Sequence, residues 1–336
     1  MTVELRGPVR ITMQTVARAA GVSPMTVSNT FRYPDRVQEA TRRRVLDIAA
    51  ELGYVPNRAA GDLASGQSRV VGAVVPSLKN SSFYMFIRGI SEAASECGYE
   101  LVISLAETPE QELAAVQTFL GLRVAGLILV GSDHERATVD LLRKTPLPVV
   151  EAWATSPPVD MGIGYSVRKA MQSLLRIVLD RGFRRVGFVG FAGDASQRYS
   201  ERLPAFRDYM AEAGLDSSLI HLVDEADGFS AGPAALNALH QRDAALDAIL
   251  CPTDIVAAGV LFECGRRDWP VPERIAVTGW GDFEIASEIT PQLTTVDAKA
   301  HEIGRQTVAM IRDRIDERQG PSFVDLGFSI VRRASV

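Results

Sequence analysis

The sequence predicts an α/β protein with an N-terminal all-α helix-turn-helix head and a larger, two-lobed body of doubly wound parallel sheets. Three observations predict this fold class. The chain has 336 residues, enough for two or three domains. From Val70 onward, short apolar runs alternate with amphipathic helical stretches, as in βαβ units. Residues 1–66 hold nine Arg, no Lys and six acids, which gives them a net charge of +3. Because the whole chain has a net charge of −5, the remaining residues carry −8. A basic head on an acidic body is typical of a protein whose head alone contacts phosphate.

The composition is that of a soluble globular protein, with 46% apolar and 23% charged residues. No apolar run reaches the roughly 18 residues that span a bilayer. Met1–Arg10 lacks the apolar core of a signal peptide. Cys97, Cys251 and Cys264 are not paired by their spacing, which fits a reducing compartment. We therefore expect a cytoplasmic protein without a membrane partner.

The head begins with the signals of a short helix. Thr12 can cap it, Val16, Ala17 and Ala20 share one of its faces, and Gly21 ends it.

Two more helices are predicted in the head. One starts after the cap residue Ser23, with Pro24 in the first position, where the missing N–H costs nothing, and buries Val27 and Phe31. Its outward residues are Met25, Thr26, Ser28 and Asn29. The other, about Gln38–Leu52, packs on the same small core. A tight turn followed by a capped helix with small polar residues outside is the arrangement that enters a DNA major groove. Any three-helix unit needs caps and turns, so this pattern alone leaves a purely structural interpretation open.

The body is predicted to hold parallel sheets covered by helices on both faces. The predicted strands are Val70–Val75, Leu101–Leu105, Leu127–Val130, Val149–Glu151, Val186–Val189, Ala248–Cys251 and Ile275–Thr278. The predicted helices are Phe83–Cys97, Pro109–Leu120, Val167–Arg181, Leu203–Ala213, Ala231–Gln241 and Ile255–Arg267. In such folds ligands bind at the carboxyl ends of the strands.

Three segments of the head resemble the lactose-repressor (LacI) family in register: Val16-Ala17, the run Ala20–Ser28 and the run Leu52–Leu63. The resemblance then extends over the whole chain. It implies a body like the periplasmic sugar-binding proteins, with three crossings between the lobes, near Tyr165, Thr295 and Leu326, and a helix, Lys299–Glu317, that returns to the first lobe. The implied domains are a helix-turn-helix head at 1–56, a hinge helix and linker at 57–68, and an effector-binding and dimerisation domain at 69–336. Its first lobe would comprise about 69–165 and 297–325, and its second about 166–296 and 326–336.

The resemblance also assigns DNA contacts. It implies that Pro24, Met25 and Asn29 face base edges, that Thr26 and Ser28 bind phosphates, and that the same surface includes Thr15 and Ser23. Pro24 and Met25 lack hydrogen-bonding groups suited to bases, so contact with a thymine methyl is the better expectation there, and Asn29 suits an adenine edge. Simple packing is the alternative for Met25.

The hinge implied by the resemblance folds when two copies meet on DNA. Its expected contacts are Asn57, Arg58, Ala60 and Leu63, with Leu63 as the apolar wedge in the minor groove, although a Leu at this spacing alone would normally be a core residue. Gly61 weakens this helix by roughly 1 kcal/mol, which should make its folding more dependent on DNA.

Effector contacts are expected in loops that follow strands. Pro76–Tyr84 mixes polar and aromatic groups as sugars require, although a helix cap followed by core aromatics would look the same. Arg202 can hold a carboxylate or vicinal hydroxyls with its fork, whereas a solvated surface Arg is the alternative. Asp254 either contacts ligand or caps the helix that begins at Ile255. The full expected set is Ser77, Asn80, Phe83, Tyr84, Arg198, Arg202, Thr253, Asp254, Trp280 and Asp282.

Two acids that many sugar-binding members carry are absent, because Ser166 and Gly281 stand in their places. A pocket that loses carboxylates and keeps an Arg favours an anionic ligand. With Val324–Phe328, this departure resembles the gluconate-operon repressor subgroup. The hypothesis is therefore a repressor of sugar or sugar-acid catabolism genes, controlled by an open-chain sugar acid such as gluconate or a ketogluconate.

Rival functions have weaker support. The run Gly187, Gly190, Gly193 is not a dinucleotide fingerprint, and His134, His221, His240 and His301 lack metal-ligand spacing. We expect that the protein is not an enzyme and that it has no catalytic residues, no metal-binding residues and no cofactor. A sugar-binding protein of transport or chemotaxis type remains the alternative. The expected partners are palindromic operator DNA, a small effector and a second copy. No apolar heptad follows the last strand, so a dimer is expected rather than a tetramer.

Overall fold

The computed structural model describes residues 11–56, 68–78, 81–155, 157–192 and 199–336. The chain divides into two compact units, Met1–Ser68 and Arg69–Val336.

The described residues of the first unit, 11–56 and 68, form three helices and one 3-10 turn. They are α1 (Met13–Ala20), α2 (Pro24–Arg32), the 3-10 turn Pro34–Arg36 and α3 (Glu39–Glu51). Thr12 caps α1 in a capping box with Thr15, and Gly21, at a φ of 65°, ends it in the left-handed region. The Ser23 side chain caps α2, and Pro24 occupies the first turn. The helix boundaries in the head are therefore set by local capping chemistry.

The core of this unit is small. The fully buried residues are Val16, Ala17, Ala20, Val27, Val45 and Ala49. Phe31, predicted as buried, is only half-buried and packs against Tyr54, with ring centres 6.0 Å apart. Thr30 is buried instead, and its hydroxyl donates to the carbonyl of Thr26 at 2.9 Å, which satisfies the buried polar group.

The second unit is built on two six-stranded sheets. Its strands are β1 (Val70–Val75), β2 (Glu100–Leu105), β3 (Gly126–Val130), β4 (Val149–Ala152), β5 (Met161–Gly164), β6 (Val186–Phe191), β7 (Ile220–Val223), β8 (Ala248–Leu250), β9 (Ala276–Trp280), β10 (Thr294–Asp297), β11 (Phe323–Asp325) and β12 (Ser329–Val331). Its α-helices are α4 (Ser81–Glu96), α5 (Pro109–Leu122), α6 (Arg136–Arg143), α7 (Val167–Asp180), α8 (Arg202–Glu212), α9 (Ala231–Arg242), α10 (Asp254–Arg266), α11 (Glu284–Glu288) and α12 (Ala300–Ile315).

The strand order is β11-β5-β4-β3-β1-β2 in the first sheet and β12-β10-β9-β8-β6-β7 in the second. All pairings are parallel except that of β10 with β12, which is antiparallel. The chain crosses between the sheets after β5, after β10 and after β11, and α12 packs on α4 beside the first sheet. This is the predicted fold class of two doubly wound parallel sheets.

Helices cover both faces of the first sheet. On one face Phe86 and Ile90 of α4 pack with Ile303 and Ile311 of α12. On the other face the buried cluster centres on α5 and is formed by Val116, Phe119, Leu127, Leu129 and neighbouring residues. In the described part of the chain, no helix has the length and apolar character to span a bilayer.

Two helices of the first lobe, α4 and α12, touch backbone to backbone. A Cβ atom added at Gly89 would overlap the carbonyl oxygen of His301, and one added at Gly304 would overlap that of Phe86. Because the two glycines have no side chains, the helices can approach this closely.

Gly89→Ala is expected to lower the free energy of unfolding by about 1–3 kcal/mol, because the new methyl group must push two packed helices apart. Urea unfolding provides the measurement. Gly121→Ala is the matched control, since Gly121 lies in α5 with nothing within 4 Å of its added Cβ. That control should gain up to about 1 kcal/mol from helix propensity. Equal effects of the two substitutions would contradict the close contact.

Candidate functional site

The outer surface of α2 displays the predicted reading residues. Ser23 Oγ accepts from the Thr26 amide at 3.1 Å and lies 2.9 Å from the Thr26 hydroxyl. Met25 is 68% exposed, so it is not part of the head core. Pro24 is exposed, and Ser28 and Asn29 are half-buried.

Other predicted DNA contacts have different surroundings. The Thr15 hydroxyl lies 3.0 Å from that of Thr12 inside the α1 capping box. Asn57, Arg58, Ala60 and Leu63 lie outside the described residues. The described Arg side chains of α2 and α3 lie at or near the surface, and none is in the head core. Positive charge is therefore available on the surface of this unit.

A cleft of about 610 Å³, part of which is open solvent, lies between the two sheets of the second unit. Its described lining consists of Phe83, Trp153, Thr155, Tyr165, Val167, Tyr199, Arg202, Pro252, Thr253, Trp280 and Ala298. Trp153 follows β4, Tyr165 follows β5, Pro252 follows β8 by one residue, and Trp280 ends β9. The cleft therefore occupies the carboxyl ends of parallel strands, where α/β folds bind ligands.

Arg202 is the one charged side chain among the described lining residues. It begins α8, is only 7% exposed, and donates from Nη1 to the carbonyl of Pro252 at 2.7 Å. Its guanidinium carbon lies 4.5 Å from the ring centre of Tyr199 and 3.9 Å from that of Trp280. The two rings hold the guanidinium by cation–π contact and fix its plane in the cleft.

The remaining aromatic residues form the walls. Trp280 Nε1 donates to the hydroxyl of Tyr165 at 2.9 Å, and burial raises the pKa of Tyr165, so this phenol stays neutral. Trp153 packs on Phe83 and Phe86, with ring centres 5.8 and 4.7 Å away. Its φ of 55° lies in the left-handed region, an uncommon conformation for a bulky residue. Local packing thus holds Trp153 in an unusual position at the edge of the cleft.

Asp254 lies behind the cleft and is fully buried. Its Oδ1 accepts from the Thr295 hydroxyl at 2.5 Å, and its Oδ2 accepts from the Phe283 amide at 2.6 Å. Burial raises the pKa of Asp254 to about 7, although both hydrogen bonds oppose the shift. The α10 cap is Thr253, whose hydroxyl accepts from the Val256 amide at 3.4 Å.

The structure brings four of the predicted effector residues to the cleft: Phe83, Arg202, Thr253 and Trp280. Four others do not line it: Ser77, Tyr84, Asp254 and Asp282. Tyr84 is 62% exposed because one step along α4 turns its side chain away from that of Phe83. Asp282 Oδ1 lies 2.7 Å from Arg333 Nη1, an ion pair outside the cleft lining. Asn80 and Arg198 lie outside the described residues.

Seven lining residues were not predicted from the sequence, namely Trp153, Thr155, Tyr165, Val167, Tyr199, Pro252 and Ala298. A usable signal existed for one of them. Trp153 is an aromatic residue directly after β4, a strand that was predicted, and this position faces the ligand edge of a parallel sheet.

Two family models match the chain. "Bacterial regulatory proteins, lacI family" matches residues 12–57, and "Periplasmic binding protein-like domain" matches 175–336. The HTH-type transcriptional regulator IdnR of Escherichia coli K12 is 30% identical over 337 residues, which cover 96% of this chain and 97% of IdnR. The chain belongs to the LacI family. The HTH-type transcriptional regulator GntR of the same strain is 29% identical over 97% of this chain and 99% of GntR.

Solved structures agree with this assignment. A LacI-family regulator from Silicibacter pomeroyi has a TM-score of 0.89 at 30% identity, over 97% of this chain and 99% of that one. The lac repressor dimer bound to operator, at 24% identity, shares the fold with a TM-score of 0.82. The LacI family consists of DNA-binding transcriptional regulators, and the relatives named here are regulators rather than enzymes. The prediction of a family regulator is thereby confirmed.

Proposed function

We propose that this LacI-family protein is a repressor of sugar or sugar-acid catabolism genes and that a sugar acid, such as gluconate or a ketogluconate, controls its affinity for operator DNA. The observation that carries the effector assignment is Arg202: a buried cation stands in a cleft whose described lining holds no carboxylate. A carboxylate ligand would pair with that cation, whereas an acidic side chain in the lining would have repelled such a ligand.

The rest of the lining suits the carbon chain of a sugar acid. The hydroxyls of Thr155 and Thr253 supply polar partners, and the rings of Phe83, Trp153 and Trp280 supply apolar faces for C–H groups. The resemblance of Val324–Phe328 to the gluconate-operon repressors supports the same ligand class.

On the DNA side, the proposal places α2 in the major groove. The exposed Met25 side chain and the amide of Asn29 would contact bases, while the hydroxyls of Thr26 and Ser28 would contact phosphates. The proposal keeps the division into a reading head at 1–56, a hinge at 57–68 and an effector-binding domain at 69–336.

A homodimer on a palindromic site is part of the proposal. β2 is the terminal strand of the first sheet, and it carries three exposed apolar side chains, Val102, Ile103 and Leu105. An apolar edge strand of this kind is stabilised when it is covered, and a second copy would cover it. Two copies would present two reading helices to the two half-sites of one operator.

Coupling between effector binding and operator binding follows from the position of the cleft between two lobes. Phe83 and Trp153 belong to the first lobe, and Arg202 and Trp280 belong to the second, so one ligand would contact both. Closing the lobes on the ligand would change the spacing of the two heads. A coupling free energy of about 1–3 kcal/mol changes operator affinity by roughly 5–150-fold.

The test is binding of fluorescent DNA from the region upstream of the protein's own gene, titrated with gluconate, a ketogluconate and neutral glucose. We expect tight binding without effector, release by a sugar acid, and no release by glucose. Release by glucose alone would contradict the role of Arg202, and an absence of specific DNA binding would contradict the assignment as a whole.

Asn29→Ala is expected to weaken operator binding by about 10–100-fold, because a base contact of this type contributes about 1–3 kcal/mol of discrimination. Its affinity for a random duplex of equal length should change little, since phosphate contacts carry that binding. Anisotropy titrations on both duplexes check this. Equal losses on the two duplexes would indicate that Asn29 does not read a base.

A further inference from the structure

A buried group of ionisable side chains lies in the first lobe, outside the cleft lining. Glu151 is on the central strand β4, His134 lies between β3 and α6, and Glu112 is on α5. The side chains of His134 and Glu151 are each 1% exposed, and that of Glu112 is 20% exposed. We call these three residues the His134 cluster.

The contacts within the cluster are unequal. His134 Nδ1 lies 2.9 and 3.1 Å from the two carboxylate oxygens of Glu112, which is hydrogen-bonding distance. His134 Nε2 lies 3.9 Å from Glu151 Oε1, too far for a hydrogen bond but close enough for strong electrostatic coupling in a buried site. Among the described residues, neither His134 Nε2 nor Glu151 Oε2 has a hydrogen-bond partner. Buried polar atoms are rarely left in this state without a reason.

Two hydrogen bonds hold the stretch of chain that follows β4, one to Glu151 of the cluster and one to Ser132 in the segment of His134. The Val159 amide donates to Glu151 Oε1 at 2.9 Å, and the Thr155 amide donates to Oγ of Ser132, two residues before His134, at 3.1 Å. Thr155 lines the cleft, and so does Trp153, which follows β4 with its left-handed backbone. The stretch that carries both lining residues is therefore attached to β4 and to the segment of His134.

Few other charges face the cluster. Asp160 is a further acid that acts on Glu151, and its Oδ1 accepts from Arg314 of α12 at 2.7 Å. Asp133 and Glu135, which flank His134, are exposed. The protonation of the cluster is therefore governed by its own three members, with further contributions from the Gly131 backbone, which hydrogen-bonds His134, and from Asp160.

Both inner members bind a proton more tightly in the folded chain. Burial lowers the pKa of His134, but the hydrogen bond to Glu112 and the charges of Glu112 and Glu151 outweigh it, and the net pKa is raised. Burial raises the pKa of Glu151, against the Val159 amide and His134. For both groups a raised folded pKa means stability that is present at low pH and lost as the pH rises through that pKa.

We propose that His134, Glu112 and Glu151 are positioning residues for the effector cleft: they form a buried proton-binding cluster that sets the placement of Trp153 and Thr155, so that loss of a proton changes the cleft. The cluster makes no contact with the ligand in this proposal. It acts through the Val159 amide, which donates to Glu151, and through the segment of His134, in which Ser132 accepts from the Thr155 amide. Effector binding then depends on pH near neutrality, where a histidine of raised pKa titrates.

The test uses the full chain labelled with 5-fluorotryptophan, which gives three fluorine NMR signals because the chain has three Trp. Trp→Phe variants assign them, and the pH is varied between about 5.5 and 9 around the histidine range. We expect the Trp153 signal to move with a midpoint above the ordinary histidine value of 6.5. His134→Gln should abolish the movement, and Glu151→Gln should lower its midpoint by removing a negative charge beside His134.

His301→Gln is the matched control, since His301 also contacts a carboxylate, that of Glu92 at 2.9 Å, but on α12 rather than beside Trp153. It should leave the Trp153 titration unchanged. If His134→Gln does not fold, the midpoint in Glu151→Gln decides. A Trp153 signal that is flat in the parent chain, or a midpoint that is unchanged in the folded variants, overturns the proposal.

A second measurement tests whether the cluster affects effector binding, and this test alone rests on the proposed function. Gluconate affinity at about pH 6 and pH 8.5 is expected to differ by about fivefold in the parent chain and to be nearly equal in His134→Gln. Absence of gluconate binding would count against the proposed effector only, because the fluorine titration uses no effector. Equal pH dependence in the parent chain and in His134→Gln would overturn the link between cluster and cleft.

Discussion

Asp254→Ala is expected to lower the free energy of unfolding of the second unit by about 2–4 kcal/mol, because two buried donors lose their acceptor. These donors are the Phe283 amide at 2.6 Å and the Thr295 hydroxyl at 2.5 Å. Asp254 thereby ties the start of α10 to β10 and to the loop that follows Trp280. Urea unfolding of the variant and the parent chain gives the difference.

Asp254→Asn separates the hydrogen bonds from the charge. The amide oxygen can still accept from Phe283, and the amide group can donate to Thr295, so most of the loss in the alanine variant should be recovered. The side chain no longer titrates. The two substitutions are therefore a matched pair at one position.

The pH dependence has a defined sign. Burial raises the pKa of Asp254 from 3.8 to about 7, so the folded chain binds an extra proton between these values. The stability attached to this proton is complete below the unfolded pKa and falls as the pH rises to about 7. One pKa unit corresponds to about 1.4 kcal/mol, so the fall amounts to several kcal/mol.

The parent chain should therefore lose stability relative to Asp254→Asn as the pH rises from about 4 to 7, and the asparagine variant should be at least as stable above pH 7. Unfolding curves at several pH values check this. Parallel pH profiles for the two proteins would show that the carboxyl group of Asp254 is not the titrating group.

The head could be predicted closely because its boundaries are local. Thr12 and Ser23 cap helices through side chains three residues from the amides they bind, and Gly21 ends α1 by its own backbone conformation. Such signals lie within one short stretch of sequence. Phe31 was placed wrongly because the helical pattern gives the inward face but not how far the core extends over it.

The body was predicted less completely. Seven strands were predicted from the sequence, and β5, β7, β10, β11 and β12 were not. Runs of three or four residues show no periodicity that distinguishes a strand from a loop, and of the strands this short only β4 and β8 were predicted. Their place in the sheets is decided by pairing with distant strands, as for β11 beside β5.

The cleft residues were likewise predicted only in part. Phe83, Arg202, Thr253 and Trp280 were predicted from loops after recognised strands, and the structure places them in one lining. Tyr165 follows β5, a strand that was missed. Asp254 had two open interpretations, contact with ligand or a helix cap, and its two hydrogen bonds show a third role as a tie between elements. Partners so distant in the chain cannot be identified from one sequence.

Arg202→Ala is expected to weaken gluconate binding by about 100-fold or more, because a carboxylate would then enter a partly buried site without its cation. Calorimetry measures the affinity. The loss has two components, the charge itself and the planar donor group that Tyr199 and Trp280 hold in position. The operator affinity of this variant without effector should stay close to that of the parent chain, since Arg202 belongs to the unit without the reading helix.

Arg202→Lys distinguishes the two components. Lysine keeps the positive charge but not the planar fork, and its compact ammonium stacks less well between two rings. We expect an affinity between those of the parent chain and Arg202→Ala.

Arg207→Ala is the control, because Arg207 is an exposed residue of the same helix α8 and does not line the cleft. It should bind gluconate as the parent chain does. In the operator assay, Arg202→Ala should remain on DNA at gluconate concentrations that release both the parent chain and Arg207→Ala. Full release of Arg202→Ala at the same concentrations would show that the effector is not anchored by this cation. The charge argument for a sugar acid would then fail, while membership of the LacI family would stand.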